Sequence, residues 1–119
     1  MSRWDDVKNL TADKFGEYAE ARIKAILEGF GWTVNYNKPN SEGASDLIAV
    51  KGQKKWYVQV KAARAATAPT VADADKTRIV KSASGNNAVP VIALYYFEKE
   101  NGTYEFRHAA TWDPLDASK

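Results

Sequence analysis

The stretch SDLIAVKGQKKWYVQVKAAR, residues 45–64, decides how the rest of the chain is read. Asp46 opens the run DLIAVK, and after a tight connection at Gly52 to Lys54 the chain resumes as KWYVQVKA, residues 55–62. Two short strand-forming runs joined this closely specify an antiparallel hairpin. Side chains alternate along a strand, so Tyr57, Gln59 and Lys61 share one face while Val58 and Val60 point to the other. Asp46 opens the preceding strand, which brings its carboxylate close to Gln59 and Lys61. A carboxylate, an amide oxygen and an ammonium are thereby expected at one spot.

Phosphodiester hydrolysis needs such a set. Oxygen ligands hold a hard cation such as Mg²⁺ or Mn²⁺, which polarises the phosphoryl group. A lysine ammonium beside the metal orients the nucleophile or offsets the charge that develops on the phosphate. The same residues also have a plainer reading, with Asp46 capping a turn and Lys61 in solvent, because an aspartate and a lysine near strand ends are common.

Working outward, TADKFGEYAEARIKAILEGFGW upstream repeats Phe15, Ala19, Ile23, Ile26, Leu27 and Phe30 at helical spacing. Thr11 is the expected N-cap and Gly31 the stop, giving a helix over about residues 12–30. Residues 32–37, WTVNYN, alternate as a half-buried strand does, and KPNSEGAS, residues 38–45, has the turn residues of a loop. Downstream, residues 63–74 read as a loop and residues 75–84 as a second helix. VPVIALYYF, residues 89–97, is apolar enough for a central strand covered on both faces. Asn101-Gly102 signals a hairpin turn into the alternating strand TYEFRHA, residues 103–109. The tail from Thr111 carries Pro114 and is expected to add little to the core, with Trp112 free to pack on it. The fold class is α/β: one domain over residues 1–119, a mixed sheet flanked by helices, in the order α-β-β-β-α-β-β.

Composition narrows the function classes. The chain has 119 residues, 45% hydrophobic and 27% charged, and no cysteine. A disulfide framework or a thiolate metal site is excluded, so a metal would be held by oxygens or by His108, the single histidine. A lone histidine on an alternating strand is more often a surface residue. The opening MSRWDDVKNL lacks the pattern of a signal peptide, and the longest apolar run is far short of a membrane span; an intracellular, cytoplasmic protein is expected. The net charge of +2 is unevenly spread. Residues 51–81 hold eight basic side chains against two acidic ones, a net +6 that leaves −4 for the remainder. Such a segment fits either a face for a polyanion such as nucleic acid or a solvated lysine-rich surface.

Residues 45–64 resemble the hallmark of the PD-(D/E)XK nucleases, an acidic residue entering one strand and (D/E)-X-K on the next. Ser45 stands where the motif's proline often stands, and Gln59 where a glutamate is expected. Gly16, Ala19, Glu20 and Ile23 on the first helix are similar to the archaeal Holliday junction resolvases, as is AVPVIALYYF after the second helix. The likeness covers residues 12–108 in the right element order, and a restriction-endonuclease-like fold is its expectation. It implies Glu20, Asp46 and Gln59 as metal-site residues and Lys61 as the catalytic lysine, acting with Mg²⁺ or Mn²⁺ on DNA in recombination or repair. Glu20 shares a helix stripe with Ile23 and Leu27, so it borders the buried face, where a carboxylate is costly unless paired or bound to a metal. Its alternative is a salt bridge to Lys24, with Glu17 as a second choice for the site.

Gln59 leaves two outcomes open. Glu20 supplies the missing carboxylate to a working site, or catalysis is lost and a DNA-binding module remains. Ser41 is the loop candidate for a phosphate contact, and Lys38, Lys54, Lys55 and Arg64 for backbone phosphates flanking the site. A resolvase would be a homodimer, since symmetric cutting of a four-way junction needs two sites about a two-fold axis; residues 89–97, Tyr104, Phe106 and Trp112 are candidates for that interface. Nicking, homing or restriction-type cleavage on the same fold is the rival enzyme reading.

Overall fold

A computed structural model describes residues 3–37, 45–97 and 102–119. The elements are α1 (Arg3–Val7), α2 (Ala12–Gly29), β1 (Thr33–Tyr36), β2 (Leu47–Lys51), β3 (Lys54–Ala63), α3 (Asp73–Ser84), β4 (Val89–Phe97) and β5 (Gly102–His108). The expected order is extended by α1, five residues too short for helical periodicity to reveal. The strands form one sheet in the order β1-β2-β3-β4-β5. Every neighbouring pair is antiparallel except β3 and β4, which run parallel. That parallel pair requires a crossover, and α3 makes it.

Local chemistry sets the element ends. Thr11 caps α2 by accepting a hydrogen bond from the Lys14 amide at 3.2 Å. Gly31, at φ +94°, takes the left-handed conformation that stops the helix. Gly52, at φ +62°, does the same for the two-residue turn between Lys51 and Lys54.

The sheet has a helix on each face. Phe15, Ala19, Ile23 and Leu27 of α2 pack with Trp56 and Val58 of β3 and with Val91, Ala93, Tyr95 and Phe97 of β4. On the opposite face, Ile79 and Ala83 of α3 pack with Tyr57, Ile92 and Leu94. β4 is thus buried on both sides, as its composition predicts.

The tail departs from expectation. It crosses the outer edge of β5, where the Leu115 amide donates to the Phe106 carbonyl at 2.7 Å. Trp32 Nε1 donates to the Ala117 carbonyl at 2.7 Å, and Ala117 lies in the core at 3% exposure. These anchors are backbone hydrogen bonds and a small residue, which leave no hydropathy signal. β4 and Phe106 are core, and Trp112 packs beside α3, so of the candidates for a dimer interface only Tyr104 is broadly exposed. Among the described residues no helix is long and apolar enough to cross a membrane.

Candidate active site

A difference in strand length creates the site. β3 has ten residues and β2 only five, so the register of the pair stops at Leu47 opposite Val58. Beyond it, Gln59–Ala63 keep β4 on one side and lose β2 on the other. Their burial drops with the loss: Trp56, Tyr57 and Val58 are buried, and every residue from Gln59 to Ala63 is half-exposed. An unpaired strand edge offers amide donors that need acceptors.

Asp46 fills that role. Its amide donates to the Val58 carbonyl at 2.8 Å and its carbonyl accepts from the Asn37 amide at 2.9 Å, which fixes the backbone between β1 and β3. The side chain then reaches along the open edge. Asp46 Oδ2 accepts from the Val60 amide at 2.9 Å and from Gln59 Nε2 at 3.1 Å. Ser45 beside it is buried, its hydroxyl and carbonyl accepting from Asn37 Nδ2 at 3.2 and 3.1 Å.

Burial weighs against the charged form of both carboxylates at this spot. Burial pushes Asp46 above the ordinary aspartate range, outweighing the Val60 hydrogen bond and the nearby charge of Lys61. Glu20 is raised too, by burial first, then by the negative charges of Asp46 and Glu17. Lys24 does not relieve it, because its ammonium is engaged by Glu28 at 2.9 Å. Among the described residues, no ion pair to Glu20 or Asp46 is formed. Two partly buried carboxylates therefore share a region whose charge a cation would offset.

Asp46 is the hub, and the other three residues meet it from different directions. Gln59 touches it directly. Lys61 lies on the α3 side of the sheet and Glu20 on the α2 side, each near enough for its charge to be felt. Glu20 lines a cleft of about 290 Å³ between α2 and the uncovered half of β3, with Gly16, Ala19, Val60 and Arg64. Asp46, Gln59 and Lys61 do not line that cleft.

Two orientations differ from the sequence reading. The Gln59 amide turns its nitrogen toward Asp46, because two oxygen acceptors would repel unless a cation stood between them. Lys61 Nζ lies 3.0 Å from Asp75 Oδ2 in the first turn of α3, and this contact holds the Asp75 carboxyl below its usual range. Nothing local in the sequence singles out Asp75. The signal available was the β3-α3-β4 crossover, which lays the start of α3 over the face that carries Lys61.

The remaining candidates scatter. Arg64 Nη1 donates to the carbonyls of Val7 and Leu10 at 3.0 and 2.6 Å, and the guanidinium lies 4.9 Å from the Phe15 ring. Arg64 therefore lines the Glu20 cleft with its guanidinium engaged in tying α1 to the sheet. Lys54 and Lys55 sit at the hairpin tip, five and four residues from Gln59, or about 13–17 Å along the strand; they do not flank Asp46. His108 Nδ1 accepts from the Ala110 amide at 3.1 Å, a turn contact. Lys38 and Ser41 lie outside the described residues.

Oxygen chemistry favours a hard cation here, but the donor set is lean: two carboxylates and one amide oxygen, the last available only if the amide rotates. Among the described residues, no group of three or more histidine, cysteine, aspartate or glutamate side chains is arranged to hold a metal.

No protein-family model and no curated protein matches this sequence. Among solved structures, the fold is similar to that of Hjc, a Holliday junction resolvase from the archaeal hyperthermophile Archaeoglobus fulgidus, with a TM-score of 0.66. The two are 16% identical over 78% of this chain and 76% of that one. The chain thus has a mixed α/β fold like that of this resolvase.

Proposed function

We propose that this chain is a metal-dependent endonuclease that cuts branched DNA, with a four-way junction as its preferred substrate. One observation carries the reading: Asp46 is folded onto the open edge of β3 at Gln59, with Glu20 and Lys61 bearing on it from the two sides of the sheet. Asp46 and Glu20 would hold a Mg²⁺ or Mn²⁺ ion, with the Gln59 oxygen as a neutral third ligand after its amide turns over. The ion would supply Lewis-acid polarisation of the scissile phosphate. Lys61 would donate to a phosphate oxygen or orient the attacking water. Lys54 and Lys55, at the hairpin tip, would reach backbone phosphates farther along the duplex. Cutting both strands of a junction symmetrically would require a homodimer.

A second reading has its own support. Gln59 already satisfies Asp46 by donating to it, and the site is one carboxylate short, as a DNA-binding module without catalysis would be. Incubation with four-way junction, linear duplex and single-stranded DNA separates the two, each in Mg²⁺, Mn²⁺ or EDTA. Metal-dependent nicks concentrated at the junction are expected. Binding without cleavage in any metal favours the silent module, and equal cutting of linear duplex favours a nicking or restriction-type enzyme.

A further inference from the structure

We infer that Asp75 is a positioning residue for Lys61, supplying from α3 the anionic partner that a glutamate at position 59 would otherwise provide. The inference rests on the nuclease reading above and concerns the same site. Gln59 and Lys61 lie two residues apart on one face of β3, so an anion at 59 would stand beside the lysine. Gln59 is neutral and its amide is turned to Asp46. Asp46 in turn commits Oδ2 to the Val60 amide and Gln59. Among the described residues Lys61 forms no ion pair with Asp46, so its long flexible stem has no charged anchor on its own hairpin.

The crossover provides one. α3 begins at Asp73, and Asp75 in its first turn reaches Lys61 Nζ at 3.0 Å, with about a quarter of each side chain exposed. The contact is not needed to dock α3, whose fully buried Ile79 and Ala83 do that, and a partly exposed ion pair adds little to stability. It does fix where the ammonium sits. An ammonium has three donors; one directed at Asp75 leaves two for a phosphate oxygen and a water.

The test compares wild type, Asp75→Asn and Asp75→Glu on a four-way junction with Mg²⁺, with folding checked by thermal melting. Single-turnover cleavage at saturating DNA should fall on the order of 10- to 100-fold in Asp75→Asn. DNA affinity should stay within about twofold, the split expected when only the reacting geometry is lost. Asp75→Glu, which keeps the charge, should recover most of the rate. Amine labelling with acetic anhydride, read by mass spectrometry, gives a readout independent of cleavage: Lys61 should be protected relative to exposed Lys54 in wild type and lose that protection in Asp75→Asn. Wild-type cleavage that is unchanged in a folded Asp75→Asn, or a wild-type Lys61 that labels as fast as Lys54, overturns the inference and leaves the nuclease reading standing. A wild-type protein that cuts no DNA overturns the nuclease reading itself, and the positioning role with it.

Discussion

The hydrogen bond from Gln59 to Asp46 points the wrong way for a shared cation, and its direction governs the residue-scale predictions. Binding a metal there costs the rotation of the amide and gains only a neutral ligand. Gln59→Glu should reverse both effects: the Mg²⁺ needed for half-maximal cleavage falls several-fold, while the metal-free protein melts lower because a third carboxylate joins Asp46 and Glu20. A titration of cleavage rate against Mg²⁺, with melts in EDTA, reads both. Asp46→Asn and Lys61→Ala should each lower cleavage on the order of 100-fold or more while DNA binding persists. Glu20 adds a pH signature. Its carboxyl is raised in the folded state by burial and by Asp46, so folding favours the protonated form. That contribution is fully present below the unfolded glutamate value and is lost as pH rises through the higher folded one. Metal-free protein should therefore lose some stability as pH climbs from that range toward neutral. Glu20→Gln should flatten this slope and raise the melting point near pH 7 by about a few degrees, with cleavage lost. A melting point for Glu20→Gln below wild type in EDTA would show that Glu20 is well paired and not poised for a cation.

At the scale of elements, the site follows from β3 being twice as long as β2. Alternation in KWYVQVKA told which side chains share a face, and the tight turn told that Asp46 would come alongside; both follow from local geometry and were legible in the sequence. α2, the central β4 and the α/β class were legible for the same reason, since each is a periodic or continuous apolar pattern. What was not legible depends on contacts far apart in the chain. Arg64 reads as one more cation in a basic segment, and only the packing of α1 shows that it holds the Val7 and Leu10 carbonyls. Asp75 reads as an ordinary helix-start residue until the crossover sets it over Lys61. The tail reads as polar, yet its backbone covers the edge of β5. Arg64→Met is the test at this scale: it removes two charge-assisted bonds to carbonyls and should cost about 2–3 kcal/mol in urea unfolding, leaving the DNA affinity of the folded fraction nearly unchanged. A large loss of affinity with no loss of stability would return Arg64 to the phosphate-binding set.

For the whole molecule, a basic segment within a nearly neutral chain predicts binding that is strong at low salt and falls steeply as salt rises. Lys54 and Lys55 stand well away from Asp46, so neutralising both should reduce the slope of log affinity against log salt by about 2, equally for junction and duplex. A change confined to junctions would assign them to shape recognition instead. On the proposed function, the Asp46 site hydrolyses DNA with a divalent cation. This is tested most directly by following nicking of a labelled four-way junction by wild type and Asp46→Asn across a Mg²⁺ titration, with EDTA as the zero point. Nicks near the branch point should rise with Mg²⁺ in wild type, vanish in EDTA and stay at background in Asp46→Asn despite retained binding. Cleavage that persists in EDTA or in Asp46→Asn would contradict that function.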